Sequence, residues 1–140
     1  MDALEAALKI ALKAHAGQKD RAGMPYILHP LRVMHNVSGG NAKIVALLHD
    51  VLEDADCTLQ ELEEHGFSRE VLNAVDCLTR RPGEDYFDYL QRIAQNPLAV
   101  QVKIADLNDN LDIKRLDVIT EEDRRRLNKY LKALRMLLKK

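Results

Sequence analysis

Residues 44–48 read Ile-Val-Ala-Leu-Leu, and the chain then runs straight into His49, Asp50, Val51, Leu52, Glu53, Asp54, Ala55 and Asp56. A helix with no polar face is buried on every side. A buried helix that ends in carboxylates needs a cation, because an unpaired buried carboxylate is very costly. This junction therefore demands an interior that surrounds one helix completely and supplies positive charge at its end. The helix is expected to open at Asn41, a good N-cap residue, and to continue through the acidic cluster.

The rest of the chain fits an all-helical shell around it. Aromatics are only 4% of the residues and no segment alternates cleanly, so strands are not expected. Leu4, Ala7, Leu8, Ala11 and Leu12 place an amphipathic helix over residues 2–15, stopped near Gly17. The stretch GQKDRAGMPYILHP reads as a structured loop, with Pro30 in the first turn of a helix that ends before Gly39-Gly40. Thr58 with Glu61, then Ser68, open two further helices. The second of these turns Val71, Leu72, Val75 and Leu78 inward. A helix over 84–94 carries Tyr86, Tyr89, Leu90 and Ile93 on one face. Pro97 opens a long helix with Val100, Ile104, Leu107 and Leu111 at helical spacing. Residues 121–138 form the last helix, with Leu127, Tyr130, Leu131, Leu134, Leu137 and Leu138 apolar. The expectation is all-α: one compact helical bundle over residues 1–140.

Composition narrows the function. Hydrophobic residues are 46% and charged residues 31%, which is the balance of a folded globular domain. With 21 basic and 22 acidic residues, a nucleic-acid binder driven by bulk charge is not expected. Cys57 and Cys77 lie apart without metal-ligand spacing and read as two reduced core thiols. The N-terminus lacks a signal-peptide pattern, and no stretch approaches the ~20 apolar residues of a membrane span, so a cytoplasmic protein is expected. The run Arg124-Arg125-Arg126 reads as solvated helix surface.

The acidic junction carries the chemistry. On a continuous helix His49 lies over Glu53 and Asp50 over Asp54. His49 and Asp50 diverge by about 100° and can share one ion between them. Glu53 and Asp54, one turn on, are placed to orient or deprotonate water. Two further ligand candidates lie elsewhere. His29 sits in an apolar Tyr-Ile-Leu-His-Pro segment and Asp106 in Val-Lys-Ile-Ala-Asp, with Asn110 on the same face as Asp106. Taken alone, His29 reads as a structural histidine and Asp106 as the partner of Lys103. Together the three motifs read as a metal site. Two imidazoles and two carboxylates suit Mn²⁺ and Fe²⁺, are compatible with Zn²⁺ or Co²⁺, and suit Ca²⁺ poorly.

GQKDRAGMPYILHP, ALLHDVLEDAD followed by TLQELEEHGFSREV, and VKIADLNDN occur in the order found in the HD-domain phosphohydrolases. The chain resembles most the hydrolase domain of RelA/SpoT-type alarmone enzymes and their small stand-alone relatives. The resemblance implies Mn²⁺ on His29, His49, Asp50 and Asp106, and a water-activating role for Glu53 and Asp54. It implies a nucleotide contact at Asn110, with Lys103 and Tyr130 near the substrate. The C-terminal RLNKY is similar to the helix that closes the family's pocket. The implied reaction is hydrolysis of a phosphate or pyrophosphate ester on a small-molecule nucleotide, guanosine-3′,5′-bis(diphosphate) first among them.

The chain departs from the family in one telling place. It carries Asp20-Arg21 where alarmone hydrolases have an Arg-Lys pair. Arg21 keeps one basic residue for the substrate phosphates, and Asp20 reverses the charge of the other. Leu107 also stands where a basic residue is common. The chain shows no synthetase or regulatory domain, so hydrolysis without synthesis is expected. Asp20 favours as an alternative a nucleotidase or phosphodiesterase for another nucleotide. A catalytically silent nucleotide sensor would not need both Glu53 and Asp54, and a purely structural bundle would hold no metal.

Overall fold

A computed structural model describes residues 2–54 and 56–139, with Asp54 described in its backbone alone. Its helices are α1 (Ala3–Ala14), α2 (Leu28–His35), α3 (Gly40–Leu48), α4 (Val51–Asp54), α5 (Leu59–Glu64), α6 (Arg69–Cys77), α7 (Tyr86–Ile93), α8 (Pro97–Asn110) and α9 (Glu121–Leu138). A 3₁₀ turn, Ile113–Arg115, joins the last two. Among the described residues the only β-type pairing is one bridge between Lys19 and Pro25. No helix among them is long and apolar enough to cross a membrane.

α3 is the axis of the bundle. It packs against α1, α2, α6 and α8, and every residue from Ile44 to Leu48 is buried. The all-round apolar sequence is thus matched by all-round packing. The starts of several helices follow their caps. Asp2 and Glu5 form a capping box on α1, Thr58 accepts from the Glu61 amide, and Ser68 accepts from the Val71 amide. Asn96 caps α8 ahead of Pro97, and Thr120 with Asp123 caps α9.

Four expectations are corrected. The N-cap of α3 is Gly39, not Asn41. Gly39 has φ of 98°, a left-handed conformation that favours glycine, and Asn41 instead donates to Glu70 at 3.2 Å. The helix also does not continue through the acidic cluster. It ends at Leu48, and His49-Asp50 form a turn before α4. The His49 ring donates from Nδ1 to the Ala46 carbonyl at 2.5 Å. That is the carbonyl a continuous helix would offer to the Asp50 amide. His49 over Glu53 and Asp50 over Asp54 are therefore not the stacking of one regular helix.

The third correction concerns α8. Its buried residues are Ala99, Val102, Lys103, Ala105, Asp106 and Leu107, while Val100 and Ile104 are only half-buried. The helix is rotated so that Lys103 and Asp106 face the interior together. On α9, similarly, Leu131 and Leu138 are exposed and only Ala133, Leu137 and Asp123 are buried, so its apolar stripe is narrow. Finally, Cys57 and Cys77 are free but half-buried, not core thiols.

Candidate metal centre

The four ligand candidates converge, although they come from three places in the chain. α2 brings His29, the turn after α3 brings His49 and Asp50, and α8 brings Asp106. One ligand atom from each of His29, His49 and Asp50 fits in a cluster whose members all lie within 4.8 Å of one another. Asp106 Oδ1 joins them at 2.8 Å from His29 Nε2 and 3.3 Å from His49 Nε2. Asp50 Oδ2 is 3.1 Å from His49 Nε2 and 3.7 Å from His29 Nε2. His29, His49 and Asp106 are buried.

The protons on the imidazoles can be placed from their partners. The Ala46 carbonyl only accepts, so His49 Nδ1 carries a proton. In the neutral ring Nε2 then presents a lone pair, and it is buried with no hydrogen-bond partner in its surroundings. It faces two carboxylate oxygens. Lone pair against carboxylate is repulsive unless a proton or a metal cation stands between them. His29 repeats the pattern, with Nδ1 at 2.6 Å from Asp109 Oδ2 and Nε2 toward Asp106. The donor set fits a divalent ion: two imidazole nitrogens and two carboxylate oxygens gathered in one cluster.

The titration of these groups reports the same demand for positive charge. Burial alone would lower the His29 pKa, but hydrogen bonds to Asp106 and Asp109 carry it up to about 9. His49 is raised well above its ordinary value by Asp50 and Asp106, against its burial. Burial works to raise the Asp50 pKa, and the His49 charge outweighs it, leaving Asp50 at about 2. Asp106 is held far below the usual carboxylate range, chiefly by Lys103 against its burial.

A supporting shell surrounds the four. Asp109 accepts from His29 on one side and from Arg32 on the other, at 2.7 and 3.1 Å. The Tyr26 hydroxyl donates to Asp50 Oδ2 at 2.5 Å. Carboxylates behind metal-binding imidazoles fix the tautomer and ring direction. No sequence motif assigned a role to Tyr26, Arg32 or Asp109. A signal for two of them was present: Arg32 follows His29 by three residues and Asp109 follows Asp106 by three, so each shares a helix face with a ligand.

The other predicted residues separate. Arg21, Asn110 and Tyr130 line a groove of about 340 Å³ that opens onto Tyr26 and His29. Asn110 also donates to Asp106 Oδ1 at 3.2 Å. Lys103 is not among the groove residues. It is buried behind Asp106, 2.9 Å from Oδ2, with its ammonium over the Tyr86 and Tyr89 rings. Glu53 is not among the groove residues either, and its Oε1 accepts from the Arg80 amide at 2.7 Å. The Asp54 side chain lies outside the described residues. Asp20 lines the groove, but its Oδ1 accepts from the Ala22 and Met24 amides, both at 2.9 Å. Its carboxylate thus holds the loop turn. Arg126 departs from the solvated surface expected of its run: it pairs with Asp123 and reaches the groove.

No family model matches the chain. It is 33% identical over 138 residues to a guanosine-3′,5′-bis(diphosphate) 3′-pyrophosphohydrolase of Aquifex aeolicus, covering 90% of this chain and 19% of that protein. It is 31% identical over 145 residues to a GTP pyrophosphokinase of Myxococcus xanthus, covering 91% and 19%. The chain thus spans about a fifth of the length of these relatives. Its fold matches the solved structure of a metazoan ortholog of SpoT that hydrolyzes ppGpp, with a TM-score of 0.78 at 24% identity, over 99% of this chain and 86% of that one. The chain is therefore similar to one segment of these (p)ppGpp-related proteins and shares the all-α fold of that ortholog.

Proposed function

We propose that this chain is a divalent-metal-dependent phosphohydrolase that removes the 3′-pyrophosphate of guanosine-3′,5′-bis(diphosphate), with Mn²⁺ as its ion and the cytoplasm as its place. The observation that carries the reading is the His49 Nε2 atom, buried without an aligned hydrogen bond beside Asp50 and Asp106, the same two carboxylates that His29 Nε2 approaches. The activity for which the Aquifex relative is named supports the substrate. A bound divalent ion supplies Lewis-acid polarisation of a phosphoryl oxygen and lowers the pKa of water.

The protein's own residues do the rest. His29, His49, Asp50 and Asp106 hold the ion, and Lys103 keeps Asp106 ionised and fixed by occupying Oδ2. Glu53 and Asp54 direct the attacking water and take its proton. Arg21 offsets phosphate charge in the groove. Tyr130 closes one wall of it, and Asn110 offers its amide oxygen to the nucleotide. The test is a panel of 3′-pyrophosphate, 3′-phosphate and 5′-phosphate nucleotides given to the Mn²⁺-loaded protein. Turnover is expected on the 3′-pyrophosphate. No turnover on any of them, with metal confirmed bound, would overturn the enzyme reading.

A second reading, hydrolysis of a different nucleotide, is favoured by Asp20 in the groove wall. Asp20→Asn separates the two, because Asn keeps the oxygen that caps the turn and removes the charge. A marked rise in guanosine-3′,5′-bis(diphosphate) turnover in this variant would identify Asp20 as a barrier to that substrate.

A further inference from the structure

Beside the metal centre a second group of cations gathers from three places in the chain. Lys129 of α9 lies 4.6 Å from the centre of the Tyr86 ring and 5.5 Å from that of Tyr130. The Arg80 guanidinium, from the turn before α7, lies 5.5 Å from the Tyr86 ring, and Lys103 of α8 lies 5.8 Å from it. Lys103 has a carboxylate partner in Asp106. Among the described residues Lys129 and the Arg80 guanidinium have none; Arg80 Nε is bonded to the Glu84 carbonyl and its amide to Glu53. The Tyr86 hydroxyl is buried and without a hydrogen-bond partner. Burial and the charges of Arg80, Lys103 and Arg126 lower the Lys129 pKa, as expected of a cluster short of anions.

A ring face offsets only part of such repulsion, and an aromatic cluster with unmatched cations is a receptor for a charge-dense anion. Tyr130 lines the nucleotide groove and Lys103 touches a metal ligand, so the cluster sits between the two. We propose that Lys129 and Arg80, gathered on the Tyr86 ring, form a second phosphoryl subsite that holds the substrate phosphate group not being cleaved. This rests on the nucleotide-hydrolase reading above and names what that reading leaves open, the anchor for the second phosphate.

Two measurements on metal-loaded protein test it. In the first, inorganic pyrophosphate binding is followed by calorimetry for the wild type, Lys129→Gln and Lys129→Arg, with helicity checked by circular dichroism. Binding about tenfold weaker in Lys129→Gln, with Lys129→Arg near the wild type, is the expected result for one lost charge-assisted contact. Equal binding by the wild type and Lys129→Gln would overturn the subsite. In the second, Lys129→Gln should raise KM for guanosine-3′,5′-bis(diphosphate) about tenfold at nearly unchanged kcat, and leave KM for a nucleotide bearing only a 3′-diphosphate unchanged. An equal rise for both nucleotides would also overturn it. Pyrophosphate binding that depends on Lys129 in a protein that hydrolyses no nucleotide would sustain the subsite and reject the hydrolase reading, so the two failures are distinct.

Discussion

His29 and Asp109 are joined at 2.6 Å, and Asp109 is itself gripped by Arg32. The pair holds the His29 ring so that Nε2, not Nδ1, faces Asp106. Asp109→Asn removes the charge that orients the ring and raises its basicity. Divalent metal affinity should fall roughly 10- to 100-fold, the usual cost of losing such an outer partner. Isothermal titration with Mn²⁺ checks this, and unchanged affinity would show that Asp109 only packs.

Tyr26 is the corresponding support for Asp50. Its hydroxyl donates at 2.5 Å, and its ring lies 5.6 Å from that of His29 and 4.9 Å from that of His15. Tyr26→Phe keeps the packing and loses one hydrogen bond to a charged group, worth about 1.5–3 kcal/mol. Metal affinity should drop roughly tenfold or more, with little change in thermal stability. A variant that loses stability and keeps its metal affinity would contradict this assignment.

The bundle depends on α3. Leu47 and Leu48 are almost wholly buried, at 1% and 0% exposure. Leu47→Ala should destabilise the protein by about 2–5 kcal/mol in urea unfolding, since the surrounding helices cannot fully close the cavity. A loss under about 1 kcal/mol would mean that α3 is less enclosed than described.

Acid stability should carry a signature of Glu84. Hydrogen bonds from Arg92 and the Arg81 amide hold its carboxyl down to about 2. Its unfolded value is about 4.3. The folded-state pKa is the lower one, so the contribution is fully present above about 4.3 and is lost as pH falls toward about 2. The stability gap between wild type and Glu84→Gln should therefore narrow across that window. Urea titrations at neutral pH and at about pH 2.5 measure it, and a gap independent of pH would contradict the pairing.

The convergence of His29, His49, Asp50 and Asp106 was legible in the sequence because these residues are unusual where they stand. His49 and Asp50 end an apolar helix, and Asp106 interrupts another. Helix starts were legible where a side chain caps them, as at Ser68 and Asn96, and misplaced at Gly39, where a backbone conformation does the work. The break after Leu48 was not legible, because it depends on one imidazole taking the Ala46 carbonyl. The inward face of α8 was misread for a related reason. Apolar spacing cannot show that Lys103 and Asp106 satisfy each other inside. Tyr26 and Asp109 escaped notice because a supporting residue is defined by what it touches, and both touch residues distant in sequence. Asp20 is the converse case: its charge was legible, but the two amides that occupy it were not.

The proposed chemistry needs one ion held by His29, His49, Asp50 and Asp106. Elemental analysis of the purified wild type and of His49→Gln, after both are incubated with Mn²⁺ and desalted, tests it most directly. One divalent ion per chain is expected in the wild type, with a large loss of it in a variant that remains helical. Wild-type protein that retains no metal, or a variant that retains as much, would contradict it.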